Sequence, residues 1–334
     1  MDKIMGFDPF VDSHKVRYFS LGRHALVASL DILQIRKGDL ALVPGFICRD
    51  LLASFHAKGV VPVFYEVNKE MEPLSLPIVK GIRVVLAVNY FGFPQNLSPF
   101  RKYCEENDAA LLEDNAHGFL SCDETGSLLG SQGDIGFFSL RKSMPLPDGA
   151  MLMINENKFL RNLPEQLNFR KEQLPLGFRV KKVFSLFQQK TGIRFLSIGR
   201  DLARFLRKRL TGHAITPLSI ENEFQIPMGP APHYYLKKQL PKLDQKKEIA
   251  RRRKLYEKVN SAFQSINITP VFKELPANVA PYGYPFFADE GEIDIAVKLA
   301  SDMGLDCAYW PDLPSEIEST APIHYRSLFI VHFT

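Results

Sequence analysis

The sequence predicts an α/β protein in which a helix-covered sheet occupies the first part of the chain and a smaller α+β unit the end. Three observations carry this reading. Strand-like apolar runs alternate with helix-like segments from residue 20 to about residue 155. The alternation stops in a basic stretch, 170–212, and then in a segment broken by four prolines, 217–232. Beyond it a long charged helical pattern precedes a last 70 residues that mix short strands with one more helix.

Taken in order, Gly22-Arg23-His24 opens a helix whose apolar periodicity runs from Ala25 to Leu33. Leu40 to Val43 is a short apolar run, Leu51 to His56 reads as helix, and Val60 to Val67 is rich in the β-branched and aromatic residues that suit a pleated surface. Arg83 to Val88 is a strand and Leu97 to Asn107 a helix with a polar face. Ala109 to Leu112 is apolar and runs directly into Glu113-Asp114. Ile135 to Ser139 and Ala150 to Ile154 are strands flanking a loop that holds Lys142. Tyr234 to Phe263 is expected to be one long helix, Ile293 to Met303 another, and Ser327 to Phe333 a strand. The domains expected are 1–222, including the basic segment, and 223–334.

The composition is that of an ordinary globular chain of 334 residues, 46% hydrophobic and 24% charged. No apolar run reaches the roughly 18 residues of a membrane span. The first residues, Met1-Asp2-Lys3-Ile4-Met5-Gly6, lack a basic-then-apolar export pattern, so a cytoplasmic protein is expected. Cys48, Cys104, Cys122 and Cys307 form no CxxC pair and do not cluster with histidines, so neither a metal site nor a disulfide framework is expected.

Several residues stand where chemistry is done in sheets of this kind. Asp114 ends an apolar strand, where a carboxylate is costly to bury without a cationic partner. Lys142 follows a strand and precedes the rigid turn Pro145-Leu146-Pro147-Asp148-Gly149, at the sheet edge where ligands bind. Ser139 offers a hydroxyl and the helix start at Gly22 offers unpaired N–H groups to a phosphate. Each has an ordinary reading as well: most lysines are surface charges, and most serines and acids at strand ends satisfy backbone groups.

Together these segments resemble the DegT/StrS family of sugar aminotransferases, a branch of the fold type I enzymes that use pyridoxal 5′-phosphate. The resemblance rests on Ser20 to Leu26, Leu42 to Cys48, Asn89-Tyr90-Phe91-Gly92, Glu113-Asp114-Asn115-Ala116-His117, and Gly133 to Ser139 with Lys142 and Asp148-Gly149. It implies a mixed seven-stranded-type sheet in the large domain, pyridoxal phosphate held on Lys142 as a Schiff base, Asp114 on the pyridine nitrogen and His117 beside the ring. It further implies that Gly22, Arg23, His24 and Ser139 serve the phosphate. The reaction implied passes an amino group from an amino acid, glutamate, to a keto group of a nucleotide-linked sugar in a homodimer. Departures touch the pocket: Ser139 and Lys142 are two residues closer than usual, and Ala150 replaces a second glycine. Cys48 stands where an aromatic residue usually stacks on the ring, leaving Phe46 or Tyr90 as replacements. Gln225 matches the segment that reaches a neighbouring subunit by position alone. Lyase or desulfurase chemistry involving Cys48, or a degenerate relative acting as a binding protein, are the rival readings.

The basic stretch is a separate feature. From Arg170 to Arg209 there are 12 Lys or Arg against two acids, Glu172 and Asp201, within a chain of net charge +5. Helical spacing puts Leu202, Phe205 and Leu206 on one face. An amphipathic helix packed on the large domain is the first expectation, and a peripheral membrane contact through 179–210 the second. No nucleic-acid motif is present.

Overall fold

The computed structural model describes residues 14–191 and 220–333, with the side chains of 184–191 and 290 left undescribed. Seven strands build the main sheet: β1 (Val16–Phe19), β2 (Leu40–Pro44), β3 (Val61–Tyr65), β4 (Ile82–Val88), β5 (Ala110–Asp114), β6 (Ile135–Phe138) and β7 (Ala150–Ile154). Their spatial order is β1-β7-β6-β5-β4-β2-β3. The five neighbours from β6 to β3 run parallel, whereas β7 and β1 are antiparallel additions. The expected mixed seven-stranded sheet is therefore what the chain forms.

Central strands of a parallel sheet are buried on both faces and so read as continuous apolar runs. β4 does this, and the antiparallel β7 is likewise buried at every residue. Helices α1 (Gly22–Ile32), α2 (Ala53–Lys58) and α3 (Ser98–Asn107) cover the sheet. α3 begins with Pro99 in its first turn and ends at Asp108, whose left-handed conformation (φ 49°) stops the helix. Its Phe100 is fully buried, worth roughly 1.5–3 kcal/mol relative to exposure. Two close approaches in the sheet require glycine. A Cβ on Gly136 in β6 would lie 1.9 Å from the Gly130 carbonyl oxygen, and Gly149, at φ 145°, lets the chain turn out of the Lys142 loop into β7.

The second sheet is smaller and antiparallel, in the order β8 (Gly283–Phe287), β10 (Leu328–His332), β9 (Asp306–Tyr309). The expected helix 234–263 is two: α5 (Tyr234–Gln239) ends in a short 3-10 turn containing Pro241, and α6 (Gln245–Gln264) restarts with Asp244 as its cap, accepting from the Lys247 N–H. Pro241 lacks the N–H that a continuous helix needs. Leu236 and Leu240 pack with Val16, Leu146 and Met151 of the large sheet's flank, and Ser20 N–H donates to the Pro230 carbonyl. Residues 230–240 therefore pack on the flank of the large sheet. α4 (Leu176–Thr191) lies on the outside, while Leu202, Phe205 and Leu206 fall outside the described residues. Helix α7 (Glu290–Asp302) is capped by a reciprocal Asp289–Glu292 box, and α8 (Ser315–Glu318) is a single turn.

Candidate active site

The parallel strands β4, β5 and β6 end on one edge, and a cleft opens there of about 660 Å³ counting its mouth. It is lined by Gly22, Arg23, Cys48, Asp114, His117, Ser139 and Lys142 among the residues expected from sequence. Residues separated by up to 120 positions converge because crossover connections return every parallel strand to the same edge.

Asp114 and its neighbour Glu113 are buried alike but used differently. Successive residues of a strand face opposite sides. Glu113 accepts the N–H groups of Gly130, Gln132 and Gly133 and the side-chain amide of Asn89 at 3.3 Å, so its charge is fully engaged in holding a loop. Asp114 faces the cleft. One of its oxygens accepts the Ala116 N–H at 2.8 Å, yet burial raises its carboxyl to about 6 despite that bond and the Lys142 charge nearby. A carboxyl in this state gains from any cation that enters the cleft.

Lys142 Nζ lies 3.0 Å from His117 Nε2. The other ring nitrogen of His117, Nδ1, accepts the Phe91 N–H at 3.3 Å. Burial, then the Lys142 charge, hold His117 well below its usual range, so the ring stays neutral. It is stacked on Tyr282 with centroids 4.4 Å apart and planes 3° from parallel. The Lys142 loop is itself clamped. Arg141 N–H donates to the Gly149 carbonyl, Gly149 N–H to the Ser20 carbonyl, and the buried Arg252 of α6 donates to the Ser143 carbonyl at 2.8 Å. Asp148 does not reach the cleft; it holds the His233 N–H at 2.9 Å and pairs with Arg170.

At the opposite end, α1 starts without a capping side chain. The Gly22 and Arg23 N–H groups precede the first intrahelical acceptor, and a Cβ built on Gly22 would stand 4.0 Å from that of Ser139. Helix start and serine thus face each other, a donor set suited to a dianion. Amine, unsatisfied carboxyl and phosphate-type donors in one cleft fit the pyridoxal phosphate expected from sequence.

Three expected contacts are not in the cleft. Phe46 is fully buried against Tyr325 (4.7 Å) and Trp310 (5.2 Å), because it extends the core-facing side after β2 while Ile47 and Cys48 face the cleft. Tyr90 is buried with its hydroxyl donating to the Phe46 carbonyl at 2.8 Å, turned inward by the left-handed Phe91 (φ 56°). His24 lies one residue too far along α1, its Nε2 2.6 Å from the Met228 carbonyl oxygen. In their place the cleft has Asn89, Asp50, Arg141 and Trp310. Trp310 follows β9 of the small sheet, so no local pattern marks it; being the chain's sole tryptophan is the one signal it offers. Its N–H donates to the Leu328 carbonyl, and its ring meets those of Phe46, Phe91 and His117 with centroids 5.2, 4.8 and 5.6 Å away. Gln225 reaches Arg23 only through its main-chain oxygen, at 3.5 Å. Cys48 is on the cleft wall, but burial pushes its thiol up to about 12, unlike a nucleophilic cysteine.

The profile of the DegT/DnrJ/EryC1/StrS aminotransferase family matches residues 6–166. GDP-perosamine synthase of Vibrio cholerae is 24% identical over 325 residues, covering 91% of this chain and 84% of the relative. Among solved structures, the aminotransferase TlmJ of Streptoalloteichus hindustanus superposes with a TM-score of 0.62 at 17% identity, over 98% of this chain and 82% of its own. The E coli GDP-4-keto-6-deoxy-D-mannose-3-dehydratase with bound hydrated PLP gives 0.57 at 15%, over 98% and 88%. These likenesses fix the fold as that of the fold type I pyridoxal phosphate enzymes.

Proposed function

We propose, from the match of residues 6–166 to the DegT/DnrJ/EryC1/StrS aminotransferase family and the likeness to GDP-perosamine synthase, that this chain is an aminotransferase of that family and transfers the amino group of glutamate to a keto group of a nucleotide-linked sugar. The observation that carries the reading is the meeting of Lys142, His117 and Asp114 in one cleft opposite the Gly22 and Ser139 donors. When bound, pyridoxal phosphate supplies an aldehyde that takes up the donor's amine and a ring that withdraws electrons. Lys142 would hold the cofactor through Nζ and, when free, would take and return a proton at that nitrogen. His117 holds that nitrogen in place through Nε2, 3.0 Å away. Asp114 holds the proton on the ring nitrogen, which relieves its own burial. Gly22, Arg23 and Ser139 bind the phosphate.

The large unit extends to about residue 243, with α6 and the small sheet forming the second. A homodimer acting in the cytoplasm is the working assembly. No helix among the described residues is long and apolar enough to cross a membrane.

The test is a half-reaction. Protein loaded with pyridoxal phosphate releases one equivalent of 2-oxoglutarate from glutamate, and an NDP-linked 4-keto sugar then gains the amine. Sulfide released from cysteine, with no 2-oxoglutarate from glutamate, contradicts this reading and selects the desulfurase chemistry that the protonated Cys48 disfavours.

A further inference from the structure

Among the described residues, helix α4 meets the body through Phe178 and Lys182. The Phe178 ring meets Tyr235 edge-on at 5.7 Å, and the Lys182 ammonium donates to the Tyr235 hydroxyl at 2.5 Å while lying 4.8 Å from the ring centre. At about 100° per residue, Leu176, Val180 and Val183 share an arc of roughly 60° on the side away from these two. All three are open to solvent, at 72%, 46% and 65% exposure. A stripe of branched aliphatic side chains at such exposure is uncommon on a surface that meets only water. Arg179 borders it, about 40° from Val183, and Lys181 stands about 100° beyond Val180 on the other flank; both are exposed. By sequence the stripe opens a segment, Arg170 to Arg209, with 12 Lys or Arg against two acids, a far stronger excess than the +5 of the whole chain.

We propose that this face of α4 docks on an anionic membrane surface, with Leu176, Val180 and Val183 entering the headgroup–acyl boundary and Arg179 and Lys181 pairing with lipid phosphates. Charge selects the occupant. An apolar stripe flanked by cations matches a surface that is apolar beneath and negative above, whereas an apolar protein groove has no use for the cations. The inference goes beyond the transferase reading without depending on it.

Flotation of the purified full-length protein tests this with vesicles of phosphatidylcholine alone or with about a third phosphatidylglycerol, at low salt. Co-flotation with the anionic vesicles is expected to exceed that with neutral ones at least about tenfold and to fall steeply near 0.5 M salt, where the screening length is only about 4 Å. The triple variant Leu176→Ser, Val180→Ser, Val183→Ser is expected to lose it about tenfold, as is Arg179→Glu with Lys181→Glu. These side chains are exposed, so the melting temperature should hold and verify folding. Lys142→Ala should float like the parent, which separates failure here from failure of the catalytic reading. No flotation at low salt, or flotation unchanged in the triple variant, overturns the proposal. So does a self-association without vesicles that the triple variant abolishes, since a second copy would then cover the stripe.

Discussion

The two sides of strand β5 at its carboxyl end treat neighbouring carboxylates in opposite ways. Behind the strand, Glu113 is surrounded by three backbone N–H groups and an asparagine amide, all from its own chain. In front, Asp114 has one backbone partner and a carboxyl raised to about 6 by burial. The first arrangement is finished and builds structure; the second is unfinished and waits for a cation. Burial is therefore not what marks a functional acid. What marks it is burial without enough partners, beside an amine and an open cleft.

The largest break in this comparison is Lys142→Ala, which removes the amine that gives the front side its chemistry. Transfer is expected to fall on the order of 10³-fold or more with the fold intact, measured by single-turnover 2-oxoglutarate release and circular dichroism. Next comes the pair Glu113→Gln and Asp114→Asn, which should act on stability with opposite sign. Glu113→Gln leaves N–H groups in the 130–133 loop without their acceptor and should cost about 2–4 kcal/mol in denaturant unfolding. Asp114→Asn removes a charge that burial disfavours. A raised native pKa gives a contribution that is full below the unfolded value near 4 and lost as pH rises through about 6. The cofactor-free variant should therefore gain on the order of 1–3 kcal/mol over the parent at pH 7.5 and nothing below pH 4. A gain equal at both pH values would mean that Asp114 is not the strained acid described.

Smaller effects sharpen the front side further. Trp310→Ala should weaken binding of cofactor or sugar nucleotide about tenfold, with Trp310→Phe restoring much of it, by equilibrium titration. Cys48 should react with iodoacetamide at pH 8 about 10³-fold more slowly than an ordinary thiol, since its proton is lost only near 12. Rapid alkylation would reopen the desulfurase reading.

Much of this was legible in the sequence because its cause is local. Apolar runs give the strands, Asp114 and Lys142 follow strand ends, and a glycine opens α1. What could not be read depends on where side chains turn after a strand or on contacts far along the chain. Phe46 and Tyr90 lie within one residue of positions that face the cleft, and a single residue reverses the direction of a side chain. Trp310 arrives from another sheet, and Arg252 reaches the Ser143 carbonyl from 109 residues away. The break between α5 and α6 was visible in Pro241, but the charged periodicity on either side concealed it.

The central claim is that the unfinished side of β5 holds pyridoxal phosphate on Lys142. It is tested most directly by borohydride reduction of the loaded protein followed by peptide mass mapping. The account predicts a phosphopyridoxyl adduct on the peptide containing Lys142, absent in Lys142→Ala and diminished in Asp114→Asn. An adduct confined to another lysine, or none, would contradict it.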